Sequence, residues 1–311
     1  MLYDFLCLEI RRLACEEVCT RNSLLFLVQT SLQARHQISR HRKSYNVRIR
    51  IENRDFVSFV EISSNREEIF TIQVKNTREG SETSWRFQRV VPVSYEGDTL
   101  VSLWRRKDEV IQEILDFLME FFRIKEISFR FKPSIDIRSA VLIVEHCISK
   151  NQKIANVEWE YWKTDKIARR CLEASKSASN MIIGISSSST IHFDKFHLFR
   201  MDRIEIKYAK WITVEQIVAL RNCKRIDLGN VLFDESSLNK ILLEWIENPG
   251  ELQEAQIFFP VGIKLEDAIK GLKISRVEIN RSKQKYWLNG NNGIEFSITE
   301  YLSHVVIKRE T

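Results

Sequence analysis

His192-Phe193-Asp194, with His197 three residues on, is the closest this chain comes to a metal-ligating group, because imidazole nitrogens and a carboxylate are ordinary zinc ligands. The spacing matches no zinc motif and Cys171 is distant in sequence, so a loop or strand edge is the simpler reading. Ser186 to Ser189 form a serine run without the G-x-S-x-G frame that would expose a nucleophile. Glu158 and Glu160 share one face of a strand, and neither stands in a relation to Asp165 that suggests an acid/base pair. GNNG at 290–293 lacks the strand before it and the helix after it that a phosphate loop requires. Cys7, Cys15, Cys19, Cys147, Cys171 and Cys223 contain no C-x-x-C, which fits reduced core thiols rather than a disulfide scaffold or zinc knuckle. No catalytic constellation emerges. The chain is not expected to be an enzyme, nor to need a metal or cofactor.

Its 311 residues are 44% hydrophobic and 29% charged, ordinary for a globular protein. The formal charge is +6. Residues 35–50 hold Arg35, Arg40, Arg42, Lys43, Arg48 and Arg50 and no acid, so the rest of the chain sums to zero. His36 and His41 sit in the same stripe. Such a stripe suits a solvated face or an acidic partner. Nucleic acid is the minor alternative, since aromatic interleaving is confined to Tyr45 and no nucleic-acid motif surrounds it. No apolar run reaches the ~18 residues of a membrane span, and residues 1–30 mix acids and bases with short apolar runs, unlike a signal peptide. The expected setting is intracellular, cytoplasmic or nuclear, with no membrane partner.

The elements follow from hydrophobic periodicity. Residues 1–45 read as helices. YNVRIRIEN then alternates as a half-buried strand, and 46–125 forms a strand-rich connecting region ending in the helix-like KDEVIQEILDFLMEFF. From 126 to 311 a weak repeat appears. ISFRF, VEWEY, MIIGI, RIEIKY, KRIDLG, EAQIFF and RVEIN start roughly 21 to 30 residues apart, and most intervals hold a helical segment. The expected class is α/β, α+β overall, with the repeat building a leucine-rich-repeat-like β/α solenoid. The end, with turn signals at Asn289-Gly290 and Asn292-Gly293, reads as a hairpin cap.

One helix is especially clear. Asp234 stands as N-cap before Leu238, Ile241, Leu242, Trp245 and Ile246, and Asn248-Pro249-Gly250 ends the run. Trp245 reads as a core anchor, and Asn239 as a residue that bonds backbone at the end of a neighbouring strand.

Residues 209–257 carry a spaced pattern: Trp211-Ile212-Thr213, then Leu220, Asn222, Cys223 and Ile226, then Leu238-Asn239 and Trp245-Ile246, and then a strand from Leu252 to Ile257. This pattern resembles the type-2 F-box-associated domain, a family greatly expanded in nematodes. Its signature residues here, Trp211, Leu220, Leu238, Asn239 and Trp245, read as structural. Residues 12–42 look like a divergent F-box, with Leu13, Glu17 and Val18 at its first helix and Leu24, Leu27 and Ser31 in its later helices. The resemblance implies a substrate-recognition adaptor of an SCF-type ubiquitin ligase. The N-terminal helices would dock a Skp-type adaptor and, through it, the cullin ligase, while the C-terminal domain holds an unknown protein substrate. A recognition module whose F-box has decayed is the alternative.

Overall fold

The computed structural model describes Leu25, Val28, Gln29 and residues 32–40, 46–54, 57–64, 67–76, 83–97, 99–104, 109–132, 137–160, 162, 164–184, 191–259, 263–280, 283–290 and 293–310. The chain is mixed α/β and divides into two compact units, Met1–Ile154 and Ala155–Thr311. The strand Arg123–Phe131, whose ISFRF segment groups with the later repeat by sequence, belongs to the first of these.

In the first unit, helix α1 (Leu32–Arg40) turns Ile38 into the core, where Leu25 and Val28 are also buried. The strands β1 (Asn46–Arg54), β2 (Val57–Ser64), β3 (Glu67–Lys75), β4 (Thr83–Arg86), β5 (Val90–Glu96) and β6 (Thr99–Leu103) follow. Then come α2 (Val110–Phe121), β7 (Arg123–Phe131) and α3 (Ile137–Ser149). The sheet order is β7-β1-β2-β3-β6-β5-β4, with β1/β7 and β3/β6 parallel and the other neighbours antiparallel. The alternation in β1 sends Val47, Ile49 and Ile51 inward. Helix α2 buries Val110, Ile114, Phe117, Leu118 and Phe121 at helical spacing. Its Phe117 meets Phe87 and Phe121 edge to face, with ring centroids 5.1 and 5.0 Å away.

The basic stripe does not stand free in the described residues. Arg35 bonds Glu120 at 2.6 Å, donates to the carbonyls of Arg86 and Phe87, and lies over Phe117 and Phe121. Arg48 pairs with Glu126 and Arg50 with Glu61 and the buried Glu52. No helix among the described residues is long and apolar enough to cross a membrane.

In the second unit, β8 (Ile154–Trp159), α4 (Asp165–Ser175), β9 (Asn180–Ile183), a 3-10 turn (Phe196–Leu198), β10 (Arg203–Ile206), α5 (Val214–Ala219), β11 (Arg225–Leu228), α6 (Glu235–Glu247), β12 (Glu254–Phe258) and α7 (Leu265–Ala268) alternate along the chain. Strands β8 to β12 pair in parallel, each with the next. Their register is strict. Val157, Met181, Ile204, Ile226 and Ala255 form one column, and Trp159, Ile183, Ile206, Leu228 and Ile257 another. Both columns are buried on the helix side. Local signals start the helices: Thr213 and Gln216 form a reciprocal capping box on α5, and Asp234 accepts the Ser237 amide at the head of α6. Inside, the Trp159 indole donates to Ser175 Oγ, which donates to the Cys171 carbonyl, tying β8 to α4.

The chain then closes on the expected hairpin, extended by a further strand on each side. β13 (Ile274–Asn280), β14 (Lys283–Asn289), β15 (Glu295–Tyr301) and β16 (His304–Arg309) form an antiparallel meander, and β16 pairs antiparallel with β12. RVEIN is therefore no repeat strand but part of the outermost strand, β13. RIEI and RIDL share the alternating polarity of RVEIN and likewise have one open face, so alternation alone does not separate an edge strand from a repeat strand.

Gly229, just past β11, fixes how closely β10 and β11 run. A Cβ there would lie 2.2 Å from the Lys207 carbonyl oxygen, and the Gly229 carbonyl accepts the Ala209 amide at 2.6 Å. Gly229→Ala is expected to destabilise the protein by about 1–3 kcal/mol, read from urea denaturation.

Candidate protein-recognition face

The outward side of the β8–β12 sheet carries the complementary columns. One runs Asn156, Asn180, Arg203, Arg225 and Glu254, and continues through β16 to Lys308. The next runs Glu158, Ile182, Glu205, Asp227, Gln256 and Val306. Asp227 is the pivot, only 7% exposed. Its carboxylate takes Arg203 Nε at 2.6 Å and Arg225 Nε at 3.2 Å. Arg203 also reaches Glu205 at 3.0 Å, Arg225 reaches Glu254 at 3.4 Å, and Gln256 donates to Glu254 at 2.8 Å. Lys207 pairs with Glu158 at 3.1 Å, across the intervening strand. The result is a polar face whose side chains are held in place before any partner arrives.

At the C-terminal end of these strands the chemistry turns aromatic. Phe258, 37% exposed, stacks on His304 at 4.7 Å, and His304 stacks on Tyr301 at 4.6 Å with the rings parallel. Tyr208, Leu232 and Leu302 are exposed at the same end, the last two at 64% and 103%. An ordered charge lattice bordered by exposed aromatic and aliphatic groups is suited to gripping a protein surface.

The signature residues lie behind this face. Trp211, Leu220, Leu238 and Trp245 are at most 2% exposed. Trp211 packs against Trp162 with centroids 6.3 Å apart. Asn239 donates to the carbonyls of Ala268 and Lys270, at 2.7 and 3.0 Å, so it bonds the end of α7 rather than a strand end. Leu13, Glu17, Val18, Leu24, Leu27 and Ser31 lie outside the described residues, as do Ser186 to Ser189. The His192 amide donates to Asp165, and His197 Nδ1 bonds the Asp194 carbonyl. Among the described residues no three His, Cys, Asp or Glu side chains converge as a metal site. Sequence reading missed the charge lattice, although its signal was present: Arg-Ile-Glu-Ile at 203–206 recurs as Arg-Ile-Asp-Leu at 225–228.

No family model matches this chain, and no solved structure matches it. It is similar to the Skn-1 dependent zygotic transcript 15 protein of Caenorhabditis elegans, 27% identical over 232 residues, or 67% of this chain. The match spans 64% of that protein's length. A relative thus exists in a nematode.

Burial pushes the thiols of Cys147 and Cys171 up to about 12 and that of Cys223 up to about 11. At pH 8 all three stay protonated in the folded chain and are expected to resist iodoacetamide, becoming labelled only in denaturant, as peptide mass spectrometry would read. Unfolded thiols ionise near pH ~8.5, so stability should fall as pH rises above that value. Within the lattice, Arg203→Ala or Arg225→Ala alone is expected to cost about 0.5–1.5 kcal/mol. Both together should cost more than the sum of the two, because Asp227 then loses both partners; a double-mutant cycle by denaturation measures this.

Proposed function

We propose that this chain is a substrate-recognition adaptor of an SCF-type ubiquitin ligase, working inside the cell in cytoplasm or nucleus. In this reading its N-terminal segment is a divergent F-box that docks a Skp-type adaptor and the cullin ligase behind it. The second unit is a leucine-rich-repeat-like β/α solenoid of the F-box-associated type that holds a protein target. The observation that carries the reading is the division of labour within residues 209–257. The residues that resemble the family signature are buried or spent on backbone, which leaves the outward columns free to differ between relatives and so to select a target. The chain itself would perform no chemistry. It would raise the effective concentration of a bound target near a ubiquitin-charged enzyme.

A second reading has its own support. Leu25, Val28 and Ile38 are buried in the first unit, and Arg35 fastens α1 to α2. Helices committed to their own core fit a recognition module whose F-box has decayed and no longer recruits a ligase. Nucleic acid is the weakest reading, since Arg35, Arg48 and Arg50 already hold carboxylates.

Titration calorimetry of the full chain with a purified Skp-type adaptor separates the first two. The adaptor reading expects micromolar or tighter binding, weakened at least tenfold (~1.4 kcal/mol) by Leu24→Asp with Leu27→Asp. A folded full chain that shows no binding overturns it and leaves the decayed module.

A further inference from the structure

β13 is the outermost strand of the second unit's sheet, and among the described residues β14 is its sole strand partner. Natural edge strands are usually kept short, bulged or charged, because a bare edge is a template for another chain. β13 carries such a bulge and charges, yet it leaves Val277 46% and Ile279 72% exposed. In register, Val277 lies opposite Tyr286 and Ile279 opposite Gln284, which places them on the same side of the sheet as the buried Leu288, Phe296 and Ile298. They extend the apolar side of the sheet past the residues that cover it.

The other side of β13 is charged, and its charges are ordered. Arg276 stands opposite Trp287, with its guanidinium 4.5 Å from the ring, and Glu278 stands opposite Lys285. Taken antiparallel against a second copy of itself, centred on Val277, this strand is self-complementary. Val277 faces Val277 of the other copy. Each Arg276 faces the other copy's Glu278. No like charges meet.

Hydrogen-bond phase agrees with the same centre. Asn280 and Lys283 are ladder partners with two residues between them in sequence. A two-residue hairpin closes on a mutually hydrogen-bonded pair, and bonding then alternates along an antiparallel ladder. The backbones of Asn280, Glu278 and Arg276 thus point to β14, and those of Ile279 and Val277 point outward. Two outward-pointing Val277 residues can exchange both hydrogen bonds across a two-fold axis.

We propose that β13 is a self-association strand: two copies of this chain join edge to edge, antiparallel, about a two-fold axis at Val277. The interface is isologous and closes on itself, so it yields a dimer rather than a fibre. The register shift between Ile274 and Arg276 interrupts the ladder on that side and keeps the contact short. Against the ~1,600 Å² of a standard interface it is small, so association belongs in the micromolar range.

Sedimentation velocity of the full chain, from low to high micromolar concentration, tests this. A monomer–dimer equilibrium is expected. Glu278→Arg and Arg276→Glu, each alone, set like charges across the axis and should weaken association at least tenfold. An equimolar mixture of the two variants should regain the dimer, because each then supplies the charge the other lacks. A wild-type chain that remains monomeric at high micromolar concentration overturns the proposal. So does a dimer that either variant leaves undiminished, or a mixture that regains nothing.

Discussion

The second unit depends on the register of its parallel strands. β9, β10 and β11 have four residues each, too few to bury a useful apolar area alone. Only when Ile183, Ile206, Leu228 and Ile257 align do they make a continuous apolar column for the helices to cover. A slip of one residue would exchange the two sides and bring Asp227 and the arginines into the core. The Trp159–Ser175–Cys171 bonds and the Asn239 amide then fasten helices at both ends of this array without adding any exposed chemistry.

The register also explains the lattice outside. Parallel strands ~4.8 Å apart would hold Arg203 and Arg225 side by side, a repulsive arrangement left to itself. Asp227, one column over, lies within reach of both, and Glu205 and Glu254 take the remaining donors. The neutralisation the sheet requires for its own stability thus also leaves a rigid, patterned surface. A target that binds there meets side chains already ordered, so little further entropy is lost on binding.

Elements governed by local physics were legible in the sequence. α6 could be read from Asp234, its apolar stripe and Asn248-Pro249-Gly250, and its residues Leu238 and Trp245 are indeed buried. The parallel strands could be read from their recurrence, and β1 from its alternation. Pairing partners could not be read, because they depend on where distant strands come to lie. RVEIN has the look of one more repeat strand, yet its two-residue link to β14 commits it to an antiparallel edge. The partners of the basic stripe could not be read for a related reason. The carboxylates that answer Arg35 and Arg48 are Glu120 and Glu126, more than seventy residues away.

That long-range answer constrains any partner of the N-terminal helices. Arg35 is 15% exposed at its side chain, lies over two phenylalanine rings, and donates to a carboxylate and two backbone carbonyls. Pulling it away would leave the Glu120 carboxylate and two strand-end carbonyls without those donors and uncover the edge of the Phe117–Phe121 cluster. A ligase adaptor that needed this same side of the helices would have to offset all of that. One that left the Arg35 and Ile38 side of α1 in place would not. Docking and self-packing are therefore compatible only if the two use different sides of the same helices.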